Sequence, residues 1–214
     1  MKLYSYFRSS ASYRVRIALN LKGLPYEYVP VHLVRDGGEH LAPAYRALNQ
    51  DALLPTLIVG DDVVQQSLAI IEYLDETHPA PPLLPSTPVE RAYVRSVALQ
   101  VACEIHPVDN LRVLKYLKRT LGVDDAAKDA WYRHWIETGF STLEAHLVAA
   151  GRTGTFCFGD TPTVADLCLI PQVFNAHRFN IDTTRYPTIH RINENALQHD
   201  AFARAAPGAQ PDAE

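Results

Sequence analysis

Hydroxyl side chains at the start of a predicted helix are the part of this chain best suited to chemistry. Ser9 and Ser10 stand directly before a run in which Ala11, Val15 and Leu19 recur at the spacing of one helix face. A serine at that position caps a helix, and the free N–H groups and the dipole of a helix N-terminus attract anions. The spacing therefore leaves two interpretations: a plain helix cap, or hydroxyls that also donate to a bound anion.

The elements that position these serines follow the order β-α-β-α-β-β-α over residues 1–80. Alternating residues predict two strands before residue 35, and a hairpin turn at Gly60 joins two more. The pair Gln66-Ser67 then opens another helix. This order is typical of the thioredoxin fold, in which a redox enzyme has two cysteines where this chain has serines. The chain therefore cannot exchange a dithiol, but it can hold the thiolate of another molecule.

A proline-rich segment, residues 81–88, is predicted to be a linker between two domains. Helical spacing dominates after it, so we predict an α/β plus all-α protein, with a thioredoxin-like domain at residues 1–80 and an all-helical domain at residues 89–214. The tail from Ala206 onward is rich in Pro, Gly and Ala and is predicted to be frayed. The main helices of the second domain are predicted at 89–116, 126–150 and 163–174.

The composition excludes several classes of function. A net charge of −4 and the lack of a basic run argue against a nucleic-acid partner, and no apolar stretch approaches the ~18 residues of a membrane span. The cysteines, Cys103, Cys157 and Cys168, have no CxxC spacing and lie among apolar neighbours. We therefore expect three buried thiols, no disulfide and no metal site, and the cytoplasm as the compartment.

The segment 9–19 resembles the signature of the zeta-class glutathione transferases, a family that includes maleylacetoacetate and maleylpyruvate isomerases. Ala11 stands where the family usually has cysteine, and Tyr13 where it usually has tryptophan. The stretch 159–166 resembles the family's helix-capping segment, with a capping box that starts at Thr163. The resemblance implies glutathione as the cofactor, a homodimer, and a helical domain that lines the substrate pocket.

The resemblance also implies a glutathione site in the first domain. Ser9 or Ser10 would donate a hydrogen bond to the sulfur, and we prefer Ser9 with Ser10 assisting. Leu54-Pro55 resembles the family's cis-proline step, where Leu54 pairs its backbone with the cysteinyl unit; a trans proline at the start of a strand is the alternative. Gln66-Ser67 resembles the pair that binds the γ-glutamyl carboxylate at a helix N-terminus.

Four further residues complete the implied glutathione site. His40 stands where relatives have a glutamine near the glycyl end of the tripeptide. Asp109 aligns with another glutamine and is expected to reach the γ-glutamyl amine, within one subunit or across a dimer. An ordinary polar patch formed with Asn110 is the alternative. His106 belongs to the same stretch of the chain.

Arginines are the candidates for substrate binding, because maleyl-oxo acids are dianions at neutral pH. Arg8 precedes the serines, Arg178 matches a family arginine, and Arg112 is an extra arginine that relatives often lack. Guanidinium groups suit paired carboxylates, and the alternative for each arginine is a solvated surface position. Arg14 and Arg16 belong to the signature but are expected to serve packing and interdomain salt bridges.

The implied reaction is cis–trans isomerisation. The glutathione thiolate, stabilised by Ser9 with Ser10 assisting, adds to the cis double bond next to a carbonyl, and arginines, Arg8 foremost, stabilise the resulting enolate. The new single bond then rotates, and elimination leaves the trans isomer. Ala11 and Arg112 favour the conversion of maleylpyruvate to fumarylpyruvate over that of maleylacetoacetate. A general glutathione transferase that conjugates electrophiles is a second possible function, and a non-catalytic binding module of the same fold is a third.

Overall fold

A four-stranded mixed sheet forms the centre of the N-terminal part of the chain. The structure is a computed structural model that describes all 214 residues. Its strands are β1 (Lys2–Ser5), β2 (Glu27–Pro30), β3 (Thr56–Val59) and β4 (Asp62–Gln65), in the spatial order β2-β1-β3-β4. β1 runs parallel to β2 and antiparallel to β3, and β3 runs antiparallel to β4. The predicted element order and the thioredoxin-like class are confirmed.

Helices cover this sheet and supply much of its core. They are α1 (Ser10–Leu21), α2 (Pro43–Arg46) and α3 (Ser67–Thr77). Every residue of α1 from Ser10 to Leu19 is buried, because α1 packs against α3 and against a later helix of the same unit. Such complete burial forces the polar side chains of α1 to find partners inside the protein.

The chain divides into two units, and the first combines both ends of the sequence: residues 1–83 and 197–214. Residues 197–214 therefore differ from the predicted boundary, which assigned them to the helical domain. The predicted frayed tail is wrong, because Asp212 accepts hydrogen bonds from the backbone N–H of Phe7 at 3.1 Å and from the hydroxyl of Tyr28 at 2.6 Å. A composition rich in small residues does not reveal such long-range partners.

The second unit, residues 84–196, is helical. The predicted helix 89–116 is interrupted, because a π-helical turn at Gln100–Ile105 and an extended residue at Asn110 divide it into three. Gly139 makes room for the turn, since a Cβ at this position would collide with the side chain of Ile105. The helices that lie wholly or mainly in this unit are α4 (Pro88–Leu99), α5 (His106–Asp109), α6 (Leu111–Arg119), α7 (Asp125–Ala150), α8 (Val164–Arg178) and α9 (Pro187–Leu197), and α10 (Asp200–Ala205) belongs to the first unit.

Two local predictions for the second unit have different outcomes. The capping box is confirmed, because the buried carboxylate of Asp166 accepts from the N–H of Thr163 at 2.8 Å. Cys157 and Cys168 are buried as expected, but Cys103 is exposed. It lies in the π-helical turn, where the longer repeat shifts which side chains face the core. None of the ten helices has both the length and the apolar character that a bilayer span requires.

Candidate functional site

The sheet register brings the predicted glutathione-binding segments of the first unit to one end of the sheet. Tyr4, Thr56 and Gln65 lie in one row across β1, β3 and β4. β1 and β4 run towards this end and β3 starts there, so the segments that follow β1 and β4 and the one that precedes β3 are neighbours. These segments carry Ser9, the pair Leu54-Pro55 and the pair Gln66-Ser67.

Ser9 is the N-cap of α1, as the sequence pattern predicts. Its Oγ accepts a hydrogen bond from the backbone N–H of Ser12 at 3.2 Å, and its own N–H donates to Tyr6 at 3.0 Å. Because Oγ acts as an acceptor in the cap, the hydroxyl hydrogen of Ser9 stays available to donate to a ligand. Ser9 is half-buried, whereas Ser10, the first residue of the helix, is buried. Accessibility therefore favours Ser9 over Ser10 as the donor.

Arg8 lies beside this cap with its guanidinium half-exposed. Its Nε and Nη2 atoms donate to the hydroxyl of Tyr6 at 3.3 and 3.0 Å, and the group stacks 4.8 Å from the centre of the Phe7 ring. Glu214 approaches the guanidinium at 3.9 Å. These contacts orient Arg8 without burying it, so it keeps the capacity to bind an anion.

The Leu54–Pro55 peptide bond is cis, which is the form that the resemblance implied. Tyr45 and Asn49 hold the segment in place: both donate to the carbonyl of Leu53, at 2.6 and 3.0 Å, and both contact the hydroxyl of Thr56. The backbone N–H and C=O of Leu54 make no hydrogen bond within the protein. This residue therefore offers an unpaired donor and acceptor at the start of β3.

Gln66 and Ser67 form the N-terminus of α3, where the backbone is unusual. Gln66 has φ +67° and ψ 119°, a conformation that residues other than glycine rarely adopt. No side chain caps α3, and no acidic residue lies in its first turn. The buried hydroxyl of Ser67 accepts a hydrogen bond from Nη1 of Arg14 at 3.2 Å. The start of α3 therefore combines free N–H groups with a nearby positive charge.

The ring of His40 lies close to the backbone in a 3₁₀ turn, Glu39–Leu41, that follows the β2 strand. Gly38, with φ +120°, allows this arrangement, because a Cβ at that position would collide with the imidazole of His40. The half-buried ring belongs to the same unit as the serines. Its predicted role at the glycyl end of glutathione stays a prediction.

Asp109, at the end of α5 in the second unit, is a buried carboxyl group. It is 5% exposed, and neither carboxyl oxygen has a hydrogen-bond partner. Burial without compensation raises the pKa of Asp109 to about 8, so the group is mostly protonated at neutral pH. A protonated carboxyl group can donate a hydrogen bond as well as accept one.

Tyr132, on α7 in the second unit, is a buried phenol whose pKa is influenced by Asp109 and Arg178. Burial is the main cause that raises the pKa of the Tyr132 phenol; the ionised form of Asp109 raises that pKa further, and Arg178 lowers it. The ring stacks on Phe179 with centroids 3.7 Å apart and an interplanar angle of 13°. Arg178 itself is exposed at the C-terminal end of α8. Tyr132 is therefore a buried residue of this unit that the sequence did not single out.

The remaining predicted residues of the second unit lie at the α5–α6 junction. His106 begins α5, and Asn110 is the N-cap of α6, where its side chain accepts from the backbone N–H of Arg112 at 3.1 Å. This capping role accounts for Asn110 without a ligand. Arg112 is exposed in the first turn of α6, which agrees with either a substrate contact or a solvated surface.

Arg14 and Arg16 are buried in the packing around α1 as expected, but neither forms the predicted interdomain salt bridge. Arg16 is fully buried and donates to the carbonyls of Tyr6 and Phe7 at 3.3 and 3.0 Å, in the turn that precedes Ser9. Arg14 donates to Ser67, as described above. Both arginines thus support the predicted glutathione-binding segments from inside the unit. A charged residue within an otherwise apolar helix face was the available signal in the sequence.

Comparisons with known proteins identify the family of this chain. The family models described as "Glutathione S-transferase, N-terminal domain" and "Glutathione S-transferase, C-terminal domain" match residues 3–82 and 125–199. A probable maleylacetoacetate isomerase of Vibrio cholerae is 52% identical over 99% of this chain and 97% of its own length. A maleylpyruvate isomerase of a Ralstonia species is 51% identical over 99% of both chains.

Solved structures extend the similarity to the whole fold. A holo structure of maleylpyruvate isomerase, described as a bacterial zeta-class glutathione S-transferase, has a TM-score of 0.97 and 50% identity and covers 100% of both chains. A maleylacetoacetate isomerase of Methylobacterium extorquens with bound malonate and glutathione has a TM-score of 0.96 and 44% identity, also over 100% of both chains. The chain therefore belongs to the glutathione S-transferase family.

Within that family the chain is similar to the zeta class along its full length, as the signature at residues 9–19 implied. Its relatives carry two names, maleylpyruvate isomerase and maleylacetoacetate isomerase, at nearly equal identity. The identity values therefore do not separate the two substrates.

Proposed function

We propose that this chain is a glutathione-dependent cis–trans isomerase of maleyl-oxo acids, with maleylpyruvate as the preferred substrate. The observation that carries the proposal is the half-buried hydroxyl of Ser9 at the N-terminus of α1. It lies at the same end of the sheet as the unpaired backbone of Leu54 and the uncapped start of α3. An anionic tripeptide thiol needs these three kinds of contact.

The residues present fit glutathione. The unpaired N–H and C=O of Leu54 suit the peptide groups of its cysteinyl residue, and the N-terminus of α3 with Ser67 suits its γ-glutamyl carboxylate. His40 would reach its glycyl end. His106, Asp109 and Asn110 complete the set that we carry over from the family resemblance.

Glutathione, when bound, supplies a nucleophilic sulfur whose addition turns the substrate double bond into a single bond and whose departure restores it in the trans form. Ser9 donates a hydrogen bond to this sulfur, and the N–H groups at the start of α1 add their dipole. A free thiol has a pKa near 8.5 and is only a few per cent ionised at pH 7. Lowering that pKa by about two units, roughly 2.7 kcal/mol, makes most of it thiolate.

The arginines receive the negative charge of the substrate. Arg8 is oriented by Tyr6 and lies next to Ser9 in the chain, so it suits the charge that develops on the substrate carbonyl oxygen. Arg112 and Arg178, both exposed, would bind carboxylates. No proton needs to pass to or from solvent, since the sulfur leaves as it arrived.

The choice of maleylpyruvate rests on Ala11, which replaces the usual cysteine, and on the extra Arg112. The structure from Methylobacterium extorquens with bound malonate and glutathione supports a dicarboxylate as the substrate class. Maleylacetoacetate is the competing substrate, because relatives with that name are equally similar. The rates of isomerisation of both substrates, followed by ultraviolet absorbance with and without glutathione, decide between the two. Equal rates without a thiol would refute the proposed mechanism.

Ser9→Ala tests the role of the main donor, and Ser10→Ala tests the assisting hydroxyl in parallel. We expect Ser9→Ala to lower turnover at pH 7 by up to about 25-fold, the ratio of thiolate at a pKa near 6.5 to that near 8.5 if the hydroxyl supplies the whole shift, and the loss to shrink towards pH 9. Glutathione binding, measured by calorimetry at a pH where both forms are ionised, should change little. An unchanged rate at pH 7 would remove Ser9 from the mechanism.

A homodimer and a cytoplasmic location are part of the same proposal; the first rests on the family resemblance and the second on the composition of the chain. Sedimentation equilibrium tests the first, and fractionation of cells that express the chain tests the second. A monomer with full activity would show that no residue of a second subunit is needed at the site.

A further inference from the structure

A buried arginine lies beneath the start of α3 with most of its hydrogen-bonding capacity unused. Arg14 is 2% exposed, its Nη1 donates to the hydroxyl of Ser67 at 3.2 Å, and its Nε and Nη2 atoms have no partner. It forms no ion pair. An arginine that is almost completely buried is normally paired with a carboxylate or fully hydrogen-bonded.

The second buried arginine of α1 shows that this helix can satisfy a guanidinium group. Arg16 donates through Nε, Nη1 and Nη2 to three backbone carbonyls and one hydroxyl. The two arginines are two residues apart on the same helix and are buried to a similar degree. The contrast therefore lies in the partners, and no group of the chain compensates the positive charge of Arg14.

The start of α3 is the place where a compensating anion would bind. The helix has no side-chain cap, and Gln66 holds a left-handed backbone conformation directly before Ser67. Because Arg14 donates to Oγ of Ser67, the hydroxyl hydrogen of Ser67 is directed away from the arginine. It can then donate to a carboxylate at the helix N-terminus, where the charge of Arg14 also acts.

We infer that Arg14 is a positioning residue for the α-carboxylate of the γ-glutamyl group. This inference rests on the proposed function, because glutathione supplies that carboxylate. Arg14 does not touch the ligand; it fixes the direction of the Ser67 hydroxyl and provides the buried positive charge that the carboxylate compensates. Without a ligand this charge is uncompensated, so the free protein carries a stability cost that glutathione binding removes.

The test compares Arg14→Met, Arg14→Lys and Arg16→Met with the wild type, by thermal unfolding without ligand and by calorimetric titration with glutathione. Arg14→Met should unfold at a temperature equal to the wild type or higher by about 2–4 °C, because it removes a buried uncompensated charge. The same variant should bind glutathione about 10–100-fold more weakly. Arg16→Met, which abandons satisfied hydrogen bonds, should unfold at a lower temperature than the wild type.

A glutathione analogue whose γ-glutamyl α-carboxylate is converted to an amide provides the specific readout. The wild type and Arg14→Lys should prefer glutathione to this analogue about 10-fold or more, and Arg14→Met should lose most of that preference. A purely structural role for Arg14 would weaken both ligands alike and leave the preference intact, which would overturn the inference.

The outcomes also separate this inference from the proposed function. A wild type that binds glutathione and isomerises its substrate, while Arg14→Met keeps both its affinity and its preference, overturns the inference alone. A wild type that binds no glutathione overturns the proposed function and the inference with it. Arg14→Met that unfolds well below the wild type, as Arg16→Met should, would show that Arg14 is already compensated within the chain.

Discussion

Replacing Asp109 with asparagine should make the stability of the protein less dependent on pH. In the unfolded chain this carboxyl group titrates near pH 4, but burial raises the pKa of Asp109 to about 8 in the folded chain. Between these values the folded state binds a proton that the unfolded state has released. The free energy of unfolding therefore falls as the pH rises across this range, and it is highest in acid.

The structure sets the size of this effect. Each pH unit between about 4 and 8 costs at most about 1.4 kcal/mol, so the ceiling between pH 5 and pH 8 is roughly 4 kcal/mol. Local relaxation and water entry reduce it, and we expect a difference of at least about 1 kcal/mol, which is roughly 2–4 °C in Tm. Asparagine has nearly the same shape but no such proton, so Asp109→Asn removes the slope.

The assay is thermal unfolding of wild type and Asp109→Asn at pH 5, 6, 7 and 8 in buffers of equal ionic strength. The measured quantity is the Tm of Asp109→Asn minus the Tm of the wild type, which should increase as the pH rises. Asp61→Asn, at the exposed turn between β3 and β4, is the control, and its difference from the wild type should stay constant. Parallel profiles for wild type and Asp109→Asn would refute the claim that an uncompensated carboxyl group lies inside the helical unit.

Two further changes test the packing around the site. Asp212→Ala removes the acceptor of the Phe7 N–H and the Tyr28 hydroxyl, so it should cost about 1–3 kcal/mol in unfolding free energy. The same change should let Tyr28 ionise at lower pH, which tyrosinate absorbance follows. An unchanged Tm would contradict this prediction. Gly139→Ala should cost about 1–3 kcal/mol in a chemical unfolding titration, because its Cβ would collide with Ile105. A stabilised Gly139→Ala would show that the π-helical turn repacks freely.

Local signals in the sequence were sufficient for the first unit's elements and for Ser9 as a helix cap. A serine before a helical repeat, a Gly-Asp turn and a capping box each depend on residues within one turn of each other. The pairs at Leu54 and Gln66 were found by resemblance, and the sheet register explains why they are neighbours of Ser9. The sequence of a single strand does not predict which other segments lie beside its end, because that depends on the pairing of three strands.

The predictions that were wrong depend on long-range contacts and not on local signals, since each involves a partner far away in the chain. Cys103 is exposed because a π-helical turn, made possible by Gly139, alters the spacing of its helix. The tail is ordered because Asp212 finds Phe7 across most of the sequence. Arg14 was expected in a salt bridge, but the nearest group that it meets is the hydroxyl of Ser67. Hydrophobic periodicity predicts which face of a helix is buried, but it does not predict which residues pack against that face.

The return of residues 197–214 to the first unit has a consequence for synthesis and for engineering. During translation, the thioredoxin-like half remains incomplete until the ribosome has made those residues, although most of that half emerges first. A chimera that takes everything after residue 83 from another protein would pack α1 against a foreign C-terminal segment. Arg16 would then lose its hydrogen-bond acceptor, the backbone carbonyl of Ala205. Recombination with a relative should therefore exchange residues 84–196 as an insert and keep both flanks from one parent.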